Sequence, residues 1–293
     1  MPPPERVTVV IPTRNRRATL ESALASVKAQ TWPHLEVVVV DDASSDGTGP
    51  MLAAEARTDP MLRVIRNDVP QGAAAARNQG IEAATSGWIA FLDDDDTWLP
   101  GKVDAQLRQL EAAPEAVAAS CAYFYRAPWR PERIVHVRAG ATIQDMLATN
   151  SLGGASVCLA RTDTLRAIGG FDVRLRSGQD WDLWLRLFQA GPIVCCDEPL
   201  ARYCSHLGQR ISNDMASLYA GRRRAYFRYR SLMSERTRRQ NMAALVYCRA
   251  CAAQVSFGRR LGNLRRVFRL AGPRRGVTYV VWFIRARTIM RAS

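Results

Sequence analysis

Trp88-Ile89-Ala90-Phe91-Leu92 runs directly into Asp93-Asp94-Asp95-Asp96. Five apolar residues followed by four carboxylates read as a strand buried on both faces whose end opens onto a polar rim. The same signature occurs upstream. Val7-Thr8-Val9-Val10-Ile11 stops at Pro12-Thr13, Glu36-Val37-Val38-Val39-Val40 stops at Asp41-Asp42, and Leu62 to Arg66 adds a shorter run. Between them, apolar residues at helical spacing predict helices over Arg17 to Gln30, near Met51 to Ala56, and over Ala73 to Ala84. This alternation predicts an α/β fold, a mostly parallel sheet flanked by helices. Ligands of such sheets bind beyond the carboxyl ends of the strands. Those ends carry Thr13, Asp41, Asp42 and Asp93 to Asp96. Carboxylates gathered at one rim repel one another unless something cationic sits among them. The rim therefore predicts an oxygen-lined site for Mg2+ or Mn2+, with remaining positions open to a diphosphate.

The 293 residues suffice to bury a sizeable core. No apolar run reaches the ~18–20 residues of a membrane-spanning helix; Val277 to Ile284 ends at Arg285. Met1 to Glu5 offers no apolar signal-peptide core, and the seven cysteines lack a framework spacing. The expectation is a cytoplasmic protein with free thiols. No Gly-x-Gly-x-x-Gly follows the first strand and no Gly-x-x-x-x-Gly-Lys-Ser/Thr occurs. That argues against dinucleotide oxidoreductases and P-loop nucleotidases. The net charge of +14 is unevenly spread: residues 201–293 hold 21 Arg against Asp214 and Glu235, which leaves the first 200 residues at −5. A basic tail implies an anionic partner.

The middle of the chain is less regular. Its patterns predict a helix over Val103 to Ala112, strands over Ala116 to Tyr125, Ala155 to Ala160 and Ile193 to Cys196, and a helix over Gln179 to Gln189. From Met215 the pattern turns helical. Trp181, Trp184, Leu185 and Phe188 form a core-facing stripe, and Trp98 reads either as core or as a platform for a sugar.

Six ordered motifs resemble family 2 glycosyltransferases of the GT-A fold. They are Val-Ile-Pro-Thr-x-Asn-Arg (Val10 to Arg16), Val-Asp-Asp-x-Ser-x-Asp-Gly-Thr (Val40 to Thr48), Ala-Arg-Asn-x-Gly (Ala76 to Gly80), Phe-Leu-Asp-x-Asp-Asp (Phe91 to Asp96), Gly-Gly-Phe-Asp (Gly169 to Asp172) and Asp-Trp-Asp-Leu-Trp-Leu-Arg-Leu (Asp180 to Leu187). The resemblance covers about residues 5–212. It implies a GT-A catalytic domain over 1–215, with a nucleotide-binding half (1–100) and an acceptor half (101–215), followed by a helical Arg-rich extension over 216–293.

The activity it implies is inverting transfer of a sugar from a nucleotide-diphosphate donor, most commonly a UDP-sugar, to a hydroxyl of a glycan or lipid-linked glycan in cell-surface polysaccharide synthesis. By the same resemblance Thr13 and Asp42 lie on the nucleoside, with Asp42 facing the base, and Arg77 supports the nucleotide; Asp41 is counted with this cofactor-binding set, its other reading being a turn former. The Asp-x-Asp motif falls on Asp93 and Asp95. Asp95 is the expected metal ligand, with Asp93 or Asp94 on the ribose or the metal's waters; four consecutive aspartates leave that register open by one residue. His206 lies in a segment resembling the family's mobile loop, where a His reaches the metal or diphosphate, and Arg210 is a second candidate. Asp180 corresponds to the catalytic base. By itself it reads equally as a helix cap, since Ser177-x-x-Asp180 is a capping-box pattern. The family usually has Glu before this Asp; here it is Gln179.

Within residues 258–293, Leu261, Leu264, Val267, Phe268 and Ala271 recur at helical spacing among Arg259, Arg260, Arg265, Arg266 and Arg269. Such a basic amphipathic helix suits the inner face of an anionic membrane; packing on the catalytic domain or in a homodimer is the other reading. Nucleic acid is the weaker candidate, because no recognised module is present. Two further classes compete with the transferase. A nucleotidyltransferase would need a glycine-rich basic loop after the first strand, where Thr13-Arg14-Asn15-Arg16-Arg17 has no glycine. A non-catalytic sugar- or lipid-binding module would not need both Asp95 and Asp180.

Overall fold

The computed structural model describes residues 5–128, 130–137, 140–205, 214–252 and 270. The first half alternates strictly: β1 (Val7–Thr13), α1 (Arg17–Lys28), β2 (Leu35–Asp41), α2 (Thr48–Glu55), β3 (Leu62–Arg66), α3 (Ala73–Ala83) and β4 (Trp88–Phe91). Then follow β5 (Thr97–Trp98), α4 (Lys102–Glu111), β6 (Ala118–Ala127), β7 (Arg130–Val135), α5 (Ile143–Ala148), β8 (Leu159–Arg161), α6 (Thr162–Ala167), α7 (Gln179–Ala190), β9 (Ile193–Cys204), α8 (Met215–Tyr229) and α9 (Glu235–Ala252).

The strands form one mixed sheet in the order β3-β2-β1-β4-β8-β6-β9-β5, with β7 paired to β6. Its β3-β2-β1-β4 half is parallel, because each crossover runs through a helix. Every residue of β1 is buried, as expected for a central strand covered on both faces. The register sets Thr13 opposite Asp41 and Val10 opposite Phe91, so the polar ends of three strands open at one edge. Gly80 lets α3 lie close to the sheet: a Cβ there would sit 2.3 Å from Val10 Cγ1.

By contact the chain divides into two units. The first is drawn from Met1–Ala141, Asn150–Val173 and Gln179–Leu207, and the second from Thr142–Thr149, Arg174–Gly178 and Gly208–Ser293. The first contains the sheet. In the second, α5 opens with a capping box between Thr142 and Asp145. Asn241 of α9 donates to Leu147 O at 2.8 Å, and Ala243 and Tyr247 form a small core with Met215 and Leu270. At Gly221 of α8 a Cβ would fall 2.2 Å from Ser177 O, so glycine permits that close approach.

Beneath the sheet edge, Lys102 is fully buried. Its Nζ donates to Gln106 Oε1 at 2.7 Å and lies 4.0 Å from the centre of the Trp98 ring. Burial lowers its pKa, while the nearby thiols Cys121, Cys158 and Cys196 act in the opposite direction. Six cysteines among the described residues are free thiols.

The middle of the chain departs from the sequence pattern. The strand expected over Ala155 to Ala160 is a 3-10 turn at Ala155–Val157 followed by short, antiparallel β8. The strand expected to end at Cys196 continues to Cys204 along β6. Trp98 belongs to the core, and its indole N–H is taken by Ser156 O at 2.7 Å. No helix among the described residues is long and apolar enough to cross a membrane.

Candidate active site

The rim is built from the ends of β1, β2 and β4, the start of α7 and the turn before β8. Thr13, the last residue of β1, is buried and donates its hydroxyl to Asp94 Oδ2 at 2.8 Å. Three residues past its strand, Arg16 reaches Asp95 Oδ2 at 2.7 Å and Asp94 Oδ1 at 3.7 Å. Burial, reinforced by Asp95 and Asp93, pushes Asp94 up to about 7 despite the Thr13 hydroxyl and Arg16.

The two carboxylates after β2 are both engaged with the chain. Asp41 is fully buried, accepting the Ser44 N–H at 2.9 Å and pairing with Arg66. Asp42 Oδ1 accepts Asn67 Nδ2 at 2.9 Å and the Gln71 N–H at 2.8 Å, and its Oδ2 accepts the Gly72 N–H at 2.8 Å. Burial favours the neutral acid, but these three donors and Arg14 outweigh it and hold Asp42 below the ordinary carboxylate value. The loop from Asn67 to Gly72 is thereby fastened to the end of β2. A carboxylate has about four acceptor positions, so Asp42 retains capacity for one further donor.

Oxygen atoms of Asp93, Asp95 and Asp96 all lie within 4.8 Å of one another. An all-oxygen set of this density fits a hard divalent cation. The first two are half-buried, whereas Asp96 is 1% exposed. Asp96 is driven well above the ordinary value by burial and by Asp93 and Asp95, with the Ser156 hydroxyl and Cys204 N–H opposing.

Arg77 on α3 joins this cluster to α7. Its Nη2 donates to Asp93 Oδ1 at 2.5 Å and its Nη1 to Gln179 Oε1 at 3.1 Å, while the guanidinium lies 5.1 Å from the centre of the Phe171 ring. Its Nε is buried without an acceptor. Gln179 therefore stands one residue from Asp180 and one hydrogen bond from the arginine held by Asp93. Asp180, in the first turn of α7, accepts Asn150 Nδ2 at 3.3 Å. Burial raises its pKa, the Trp181 N–H and Arg77 partly offset this, and Asp93 adds to it.

Of the residues singled out in the sequence, Thr13, Arg77, Asp93, Asp94, Asp95 and Asp180 are linked into this one neighbourhood, directly or through a single intervening side chain. Asp41 and Asp42 are held by the loops beside it. His206, Arg210 and the tail 258–293 lie outside the described residues. Sequence reasoning passed over Arg16, Asn150 and Ser156. Arg16 lay inside a recognised motif, but Ser156 sits in Gly-Gly-Ala-Ser-Val, with nothing to mark it.

Residues 8–162 match the family described as Glycosyl transferase family 2. The chain belongs to that family and is a glycosyltransferase. An uncharacterized glycosyltransferase of Haemophilus influenzae is 30% identical over 219 residues, 70% of each chain. WfgD of Escherichia coli, a UDP-Glc:alpha-D-GlcNAc-diphosphoundecaprenol beta-1,3-glucosyltransferase, is 34% identical over 104 residues, 36% of this chain and 40% of its own. Among solved structures, Staphylococcus aureus TarS 1-349 in complex with UDP-GlcNAc superposes with a TM-score of 0.68 at 18% identity, covering 94% of this chain and 83% of that one. The mannosyltransferase PcManGT of Pyrobaculum calidifontis, in complex with GDP-Man and Mn2+, gives 0.59 at 20% identity, covering 98% and 85%. These likenesses establish the GT-A fold.

Proposed function

We propose that the protein transfers a sugar, with inversion, from a UDP-sugar to a hydroxyl of a lipid-linked glycan, with Asp180 as general base and Mn2+ or Mg2+ at the rim. The observation that carries this reading is the Asp93–Arg77–Gln179 chain, which ties the acidic cluster at the end of β4 to the residue preceding Asp180. Relatives support the choice of substrates: WfgD is named for a UDP-sugar and a diphosphoundecaprenol-linked acceptor.

Asp180 takes the proton of the acceptor hydroxyl as that oxygen bonds to the anomeric carbon and the nucleoside diphosphate leaves. Its raised pKa makes it a stronger base than an exposed aspartate, and the proton becomes labile only as the bond forms. Asp93 and Asp95 are the residues that would hold the cation, which when bound acts as a Lewis acid on the departing diphosphate. Asp94, held by Thr13, faces the nucleoside side of the rim, and Asp42 offers its remaining acceptor capacity to the base. Asp41 braces the loop through Ser44 and Arg66 in place of a nucleotide contact. Arg77 orients Asp93 and Gln179, and its buried cationic charge moderates the repulsion among the carboxylates. The Arg-rich extension, with 258–293 on the cytoplasmic face of an anionic membrane, brings this rim to a lipid-linked acceptor.

UDP release from a panel of UDP-sugars with Mn2+ tests the reading. Asp95→Ala should abolish donor hydrolysis and transfer. Asp180→Asn should bind UDP as the parent does and lose transfer by a factor of about 10²–10⁴. Release of pyrophosphate in place of UDP, or full transfer by Asp180→Asn, would overturn it.

A further inference from the structure

Ser156 is 4% exposed and sits in the 3-10 turn before β8. Its hydroxyl is used twice: it accepts the Asp93 N–H at 3.1 Å and donates to Asp96 Oδ2 at 2.6 Å. Its carbonyl is fixed by the Trp98 indole at 2.7 Å. The other oxygen of Asp96 accepts the Cys204 N–H at 3.0 Å. One hydroxyl thus holds the first and last of the four aspartates at a fixed separation, and Asp96 joins them to the last residue of β9.

We infer that Ser156 is a positioning residue for the cation site, and that Asp96 serves as the tie between that site and the end of β9 while Asp93 and Asp95 face the cation. The inference rests on the proposed cation site and deepens it. Three carboxylates within 4.8 Å separate spontaneously when nothing restrains them. The Asp93 backbone and the Asp96 side chain are both restrained by a single buried oxygen, so the cluster is preorganised before a cation arrives. Both oxygens of Asp96 are turned to protein donors, the Ser156 hydroxyl and the Cys204 N–H, and it is fully buried where Asp93 and Asp95 are half-buried at the rim. Partners that orient metal ligands commonly change metal affinity by about 10–100-fold when removed. Because Asp96 also holds Cys204, disturbing Ser156 should be felt at the end of β9 even without metal.

The test uses the full chain and two readouts: free Mn2+ by electron paramagnetic resonance, and hydrogen exchange of the peptide containing Cys204 in metal-free protein. Ser156→Ala should weaken Mn2+ binding about 10–100-fold and speed exchange at Cys204, with β1 protection unchanged. Ser156→Thr, which keeps the hydroxyl, should restore both. Should Ser156→Ala fail to keep β1 protected, Trp98→Phe, which removes the donor to Ser156 O and keeps an aromatic ring in the core, should produce a smaller loss in the same two readouts. Parent-like Mn2+ affinity and Cys204 protection in folded Ser156→Ala overturn the inference. A parent chain that ignores Mn2+ while Ser156→Ala still loosens Cys204 overturns the cation site and supports the tie.

Discussion

Asp42→Asn removes one charge and one acceptor while keeping the side chain's shape. The parent carboxylate receives three donors at 2.8–2.9 Å. In the variant the amino group must face either Gly72 N–H or the Asn67 and Gln71 donors. Facing Gly72 costs one bond; the other rotamer costs two. The cheaper choice loses a charge-assisted bond and opposes two donors, about 2–3 kcal/mol, and the two remaining bonds fall to neutral strength, about 1 kcal/mol each. Removing the charge also returns its burial cost, which offsets part of this, so the expected net loss is about 2 kcal/mol, a sizeable fraction of the ~5–15 kcal/mol by which domains are stable.

Urea unfolding followed by tryptophan fluorescence should show the midpoint falling with an unchanged slope. Asp42 is held below its ordinary 3.8, so its contribution is present above that value and lost as pH falls through the lower folded value. The gap between parent and variant should therefore be full at neutral pH and close in acid. Equal midpoints at pH 7, or a gap that persists once Asp42 is protonated, would refute the reasoning.

Asp94 titrates near 7 in the metal-free fold, so Mn2+ affinity should climb as pH rises toward that value, and Thr13→Val, which removes a donor to the ionised form, should move the climb to higher pH. For the same raised group, metal-free stability should decline as pH rises through about 7, and Mn2+ should reverse the decline; thermal melts across pH with and without Mn2+ check both. Gln179→Glu gives Arg77 a second carboxylate and sets a like charge beside Asp180, so the acid limb of kcat/KM should shift up by about one pH unit.

The first hundred residues of the fold were legible because their strands are runs such as Val37 to Val40 that no helix period fits, with polar residues at the ends that sheet topology brings to one edge. The middle of the chain was legible only in part: α4, β6 and α7 fall where their patterns put them, and the short strands do not. β8 is three residues long and β5 two, too short for any period, and their placement depends on partners distant in sequence. At the site, the carboxylates and Arg77 announced themselves, whereas the roles of Arg16 and Ser156 are marked only by what their side chains reach in the fold. Asp41 shows the converse: the sequence marks a carboxylate at a strand end but not its partner, Arg66 on the neighbouring strand.

Lys102 has a practical consequence. The chain has two lysines, and the other, Lys28, is surface-exposed and paired with Glu55 and Asp59. An acylating reagent at mildly alkaline pH meets Lys28 on the native protein, while Lys102 lies out of reach. Acylation at Lys102 therefore marks each molecule whose packing around the start of α4 has opened, a built-in reporter of unfolding that needs no engineered label.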